Sequence, residues 1–199
     1  MKNFPLFASV ALLLGACSAG AQKPTNETAP ATYRVNLDTS RGPVVIEVTR
    51  DDAPVGADRF YNLVKAHYFD GARFFRVIPG FMAQFGLAAD PAMNKTWNVP
   101  IKDDPVKTSN VRGTVTFAAT SAPDSRSTQL FINFGDNSRL DASRFAPFGK
   151  VVSGMENVDQ IYSGYGEMPD QGEIEGEGNV YLEKQFPRLD YIKTARIAE

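Results

Sequence analysis

The chain has 199 residues, 43% apolar and 22% charged, which is enough for one domain with a substantial core and short for two. Its 21 Lys and Arg against 23 Asp and Glu leave a formal charge of -2 with the cations scattered singly, which argues against a clustered basic face for nucleic acid. The composition is also foreign to disordered chains and polytopic membrane proteins, and one cysteine excludes an intrachain disulfide, so the core must hold the domain together.

The N-terminus differs in kind from the rest. Lys2 gives a short positive start, residues 4–15 are an apolar run, and 15–21 are small residues. That pattern is a secretory signal peptide, because the run is too short to cross a bilayer. The quartet Leu14-Gly15-Ala16-Cys17 resembles the bacterial lipobox, so 1–17 is read as a signal ending at a lipidated Cys17, with the product a membrane-anchored protein of the periplasm or cell envelope. Cleavage after Ala21 is the alternative and would release a soluble periplasmic protein. Residues 18–31 are polar, Ala- and Pro-rich and aperiodic, and read as a flexible tether to a domain over 32–198.

From Tyr33 the pattern changes. Tyr33, Val35 and Leu37 alternate with polar residues, 39–42 makes a turn, and 44–48 is a second β-rich run, together a hairpin. Residues 51–54 stop the strand, and Phe60, Leu63 and Val64 at helical spacing predict a helix over 58–66 with Asp58 as its N-cap. His67, the single histidine, follows that helix end and reads as structural. Strands are expected on both sides of Pro79-Gly80, then a long irregular loop over 87–110 with Trp97 as an anchor. Further strands are expected at 111–119, 130–134, 148–152 and 189–197, with loops at 120–128 and 136–143 and a second helix at 155–161. Residues 163–179 are rich in Gly and acids, with Glu173, Glu175 and Glu177 at alternate positions, and read as a solvated loop or, as the other reading, an ion site. Many short strands and few helices imply a mainly antiparallel β architecture, most economically a closed barrel with helices over its ends.

The stretch FDGARFFRVIPGFMAQFG, 69–86, sets a fixed cation, Arg76, in one of the most apolar runs of the chain. A guanidinium cannot escape burial by losing its proton, so a neighbour or a ligand must meet it. If 79–81 form a three-residue loop, Arg76 lies opposite Gln84; a two-residue loop would place Ala83 there. The first is expected.

Three blocks carry a family resemblance: FDGARFFRVIPGFMAQFG, GTVTFAATSAPDSRSTQLFIN (113–133) and FAPFGKVVSGMENVDQI (145–161). In this order they resemble the cyclophilin family of peptidyl-prolyl cis-trans isomerases, over about 32–198. The resemblance implies an eight-stranded antiparallel barrel capped by two short helices, working as a monomer on proline-containing unfolded or folding polypeptides without cofactor or metal. It places Arg76 on the family's catalytic arginine, with Gln84 beside it to orient the arginine or bind substrate. Phe81, Met82, Phe131 and Leu140 fall on the proline pocket, Gln129 on a polar substrate-side position, and Ala119 and Thr120 where the substrate backbone runs. Three departures stand out: Phe75 and Phe145 replace histidines, the latter at the pocket edge, and Arg139 replaces the tryptophan of cyclosporin-sensitive members. On this reading Arg76 needs no partner within the chain, because the prolyl nitrogen serves as one. A non-catalytic proline-peptide module or holdase using the same groove is the alternative.

Overall fold

The computed structural model describes residues 24–198, so the expected signal and Cys17 lie outside the described residues. The strands are β1 Thr32–Thr39, β2 Gly42–Thr49, β3 Arg76–Ile78, β4 Met82–Phe85, β5 Thr114–Phe117, β6 Leu130–Asn133, β7 Pro147–Ser153 and β8 Ile192–Ile197. They form one sheet in the order β3-β4-β6-β5-β7-β2-β1-β8, with every pair antiparallel. In β1 the alternation Tyr33, Val35, Leu37 faces inward as its period of two requires, and Val44, Ile46 and Val48 of β2 meet it across the predicted hairpin. The core fills the concave side with tilted aromatic pairs, Phe60 on Phe148, Phe117 on Phe148 and Phe74 on Phe85, at 5.1–5.3 Å between centroids.

The expected closed barrel is an open half-barrel. β3 and β8 are the two edges and do not pair as strands. The chain ahead of β3 reaches the start of β8 through an isolated bridge, Arg73 to Tyr191, and through the Phe74 amide donating to Asp190 O at 2.9 Å. Beyond that point the free edge of β3 is already occupied, because the Val77 amide donates to Gly166 O at 3.0 Å.

The helices differ more from expectation. α1 spans Pro54–Lys65 and begins earlier than predicted, with Pro54 in its first turn. Asp58 is therefore not its cap. Asp104, 4% exposed, does that work from downstream, accepting from the Val55 and Gly56 amides 49 and 48 residues before it at 3.0 and 2.8 Å. The predicted loop over 87–110 contains α2, Pro91–Trp97, capped by Asp90 and ending on Trp97, which is 1% exposed and does anchor the segment. The predicted second helix is four residues long, α3, Met155–Val158. The acidic stretch is helical, not a loop: α4 is Gln171–Glu177, with the Asp170 side chain accepting from the Glu173 amide, and α5 is Asn179–Gln185. Five α-helical segments among the described residues thus stand where two were expected. Glutamates and glycines hid α4, and α4 and α5 each bury a single apolar residue, Ile174 and Leu182.

The described part of the expected tether is docked. Thr25 Oγ1 and the Glu27 amide donate to Asn62 Oδ1 on α1 at 2.7 and 3.0 Å, and the Ala29 amide donates to Asp58 at 2.8 Å. His67 lies at the α1 end, within 3.3 Å of Asp70.

Candidate active site

The chain after Ile78 turns through Pro79, Gly80 and Phe81 and returns as β4. Gly80 has φ of 74°, a left-handed conformation that glycine adopts without strain, and the Phe81 amide closes the turn on Ile78 O at 3.0 Å. The loop has three residues, so Arg76 pairs with Gln84 in register, as expected. β6 then pairs with β4 and sets Phe131 opposite Gln84.

These strands wall a cleft of about 350 Å³. Every described residue proposed for the site from the sequence lines it: Arg76, Gln84, Phe81, Met82, Ala119, Thr120, Gln129, Phe131, Leu140 and Phe145. Met82 and Phe131 are 1% and 5% exposed, and Phe145 meets Phe131 edge-on at 5.9 Å, making an apolar end. The polar side is a relay in which Arg76 Nη1 donates to Gln84 Oε1 at 3.2 Å and Gln84 Nε2 donates to Gln129 Oε1 at 2.8 Å.

Arg76 is not partnerless. Its Nε donates to Glu167 Oε2 at 2.9 Å, with Nη2 at 2.9 Å from the same oxygen. The expectation that this cation needs no partner within the chain is therefore corrected: besides Gln84, an acid 91 residues downstream meets it. The guanidinium still holds one N–H on Nη1 and one on Nη2 beyond those contacts.

Phe75, the departure beside the arginine, faces away from the cleft. It is 1% exposed and belongs to a second small core with Leu87, Ile174, Leu182, Phe186 and Leu189. An apolar ring at 75 is what the packing of α4 and α5 under β3 requires. Arg139, the third departure, lies over the Phe81 ring with its guanidinium carbon 5.0 Å from the centroid.

Beneath the cleft a buried amide network fixes the backbone that the pocket side chains hang from. Asn137 Nδ2 donates to Phe81 O and to Asn133 Oδ1 at 2.8 and 2.7 Å, and Asn110 Nδ2 donates to Phe145 O and to Asp141 Oδ1, each at 2.7 Å. Burial pushes the Asp141 carboxyl up, but the bonds from Ser109 and Asn110 outweigh it and hold its pKa below the usual carboxylate value. The loop at 120–128 is pinned by Arg126, 1% exposed, whose Nη1 lies 3.1 Å from Asp104 Oδ2 and whose Nη2 donates to Lys102 O. Sequence reasoning missed Ser125, Ser127 and Gln171 on the cleft wall, Glu167 behind Arg76, and the asparagine network below. Among the described residues no group of three His, Cys, Asp or Glu is placed to hold a metal ion.

Comparison with known proteins bears on the family and the fold. The family model for cyclophilin type peptidyl-prolyl cis-trans isomerase/CLD matches residues 34–177. A peptidyl-prolyl cis-trans isomerase of Acinetobacter baylyi is 40% identical over 157 residues, 76% of this chain and 80% of that protein. Peptidyl-prolyl cis-trans isomerase B of Escherichia coli is 36% identical over 135 residues, 64% of this chain and 82% of that protein. Among solved structures, a cyclophilin type peptidyl-prolyl cis-trans isomerase of Cryptosporidium parvum superposes with a TM-score of 0.65 at 20% identity, covering 84% of this chain and 98% of that one. The match at 34–177 takes in β1 to α4 with the whole cleft, and the chain belongs to the cyclophilin-type peptidyl-prolyl cis-trans isomerase family.

Proposed function

We propose that this protein accelerates rotation about X-Pro bonds in unfolded or folding polypeptides by donating a hydrogen bond from Arg76 to the prolyl nitrogen. The observation that carries the reading is the convergence, in one cleft, of an apolar end able to seat a pyrrolidine ring and a guanidinium held by a glutamine. Amide resonance sets a rotation barrier of about 18–20 kcal/mol, and uncatalysed exchange takes tens to hundreds of seconds. In the twisted transition state the prolyl nitrogen regains its lone pair and becomes an acceptor. A donor fixed in advance stabilises that state more than the planar amide. Phe81, Met82, Phe131, Leu140 and Phe145 hold the ring and exclude water, while Gln129, Ala119 and Thr120 line the path of the backbone preceding it. No proton moves and no covalent bond forms, so no acid-base pair is called for.

The test is turnover of an Ala-Pro peptide. Arg76→Ala lowers the rate at least tenfold while the melting temperature stays within about 2 °C, since an exposed ion pair contributes only about 0–1 kcal/mol. Unchanged turnover in that variant sinks the mechanism. Absent turnover in the parent, with suppressed aggregation of unfolded clients, replaces it with the holdase reading. The site of action follows from the N-terminus. Export with a lipid on Cys17 would put the activity at the membrane surface, and mass spectrometry of the mature N-terminus distinguishes a diacylglyceryl-cysteine from cleavage after Ala21.

A further inference from the structure

We infer that Glu167 is a positioning residue for Arg76, and that the segment carrying it, 163–190, is built to hold the arginine in its working orientation. The inference rests on the isomerase reading above. Glu167 is itself exposed, 66% at the side chain, so its pairing with Arg76 is a poor device for stability. The way its backbone is held shows another purpose. Gly166 O accepts from the Val77 amide, one residue after Arg76, and Phe75, one residue before it, is buried against Ile174 and Leu182 of α4 and α5. Tyr165 is fixed edge-on between Tyr162 and Phe186 at 5.2 and 5.1 Å. Both neighbours of the arginine on β3 thus grip the segment that delivers the carboxylate.

The consequence is geometric. Gln84 meets Nη1 and Glu167 meets Nε and Nη2, so the guanidinium is held from two sides against rotation about its long stem. An N–H on Nη1 stays free for the prolyl nitrogen, in a plane set before substrate arrives. Gln84 alone would hold one nitrogen of a side chain with several rotatable bonds.

The experiment compares Glu167→Ala and Glu167→Gln with the parent protein on an Ala-Pro peptide. Loss of the acceptor in E167A lowers kcat about fivefold and leaves KM within about twofold, because the proline pocket is untouched. E167Q keeps an oxygen at the same reach and restores most of the lost rate. In nitrogen-edited NMR spectra the Arg76 Nε–H signal, slow to exchange in the parent and in E167Q, exchanges as a free arginine in E167A. A parent that turns over the peptide with E167A equally fast overturns the positioning role alone. So does E167Q as slow as E167A, which would make the charge rather than the held geometry the cause. A parent without turnover overturns the isomerase reading and this role with it.

Discussion

Two arginines flank the cleft, and they solve the same physical problem in opposite ways. The Arg126 side chain is 2% exposed and meets the Asp104 side chain, 1% exposed, with Asp103 and Lys102 O; the Arg76 side chain is 29% exposed and meets an acid that is mostly in water. Arg126 ties the base of the 120–128 loop to the 102–104 segment, and Asp104 passes the constraint on to the first turn of α1. A buried guanidinium whose partners are also buried is committed to structure, because removing either member leaves a charge without compensation. A guanidinium at a cleft rim, held by two partners but with N–H groups to spare, is committed to geometry and remains open to a ligand. Burial of the partner, more than burial of the arginine, separates the two cases.

The largest effect expected from this contrast is on stability. Arg126→Ala leaves the buried carboxylate of Asp104 with the Val55 and Gly56 amides but no countercharge, and costs about 3 kcal/mol, a melting temperature lower by on the order of 10 °C. Thermal unfolding of that variant beside Arg76→Ala breaks the comparison if the order is reversed. The next effect is on rate. The tenfold loss set out for Arg76→Ala corresponds to about 1.4 kcal/mol of transition-state stabilisation, and it comes with a nearly unmoved melting curve. A protein that lost both together in Arg76→Ala would show that arginine to be a second structural ion pair.

The same contrast explains what could be read from the sequence. The hairpin of β1 and β2 and the pairing of Arg76 with Gln84 follow from local patterns, alternation in one case and a three-residue turn in the other. The cleft residues were legible because all but Leu140 fall in three contiguous blocks, which carry β3 with β4, β5 with β6, and β7. Glu167 and Asp104 were not, since each acts on a group 91 or 22 residues away and no local period marks a long-range partner. α4 and α5 were hidden for a related reason. Their apolar contacts are made with Phe75 and with each other rather than with the main core, and single buried residues on short helices leave no stripe to detect. The open edge at β3 was likewise invisible, because the group that occupies it, Gly166 O, belongs to a stretch whose composition signals only solvent.

The smallest effect belongs to Asp141, which sits between the two arginines in character: a carboxylate partly buried, fully bonded, and adjacent to Leu140 of the cleft. Burial acts to raise its pKa, but the donors from Ser109 and Asn110 prevail, so the folded value lies below that of the unfolded chain, about 3.9. With the folded pKa depressed, protons bind the unfolded state more readily. The stabilisation is complete above about pH 5 and is lost as pH falls through the unfolded and then the folded pKa. Asp58 and Asp70 are shifted the same way, burial again opposing and the bonds from Arg50 and Arg196 winning, so the whole protein should weaken over the same acid range. Asp141→Asn keeps the shape, loses the charge and turns an amide N–H₂ toward donors. Its melting temperature at pH 7 should be a few degrees below that of the parent, and the gap should close as the parent's own carboxylate is protonated. Turnover should change less than twofold, since Asn137 and Asn133 still hold Phe81. A gap of constant size from pH 7 down to pH 3 would mean that the side chain matters for its shape and not for its charge.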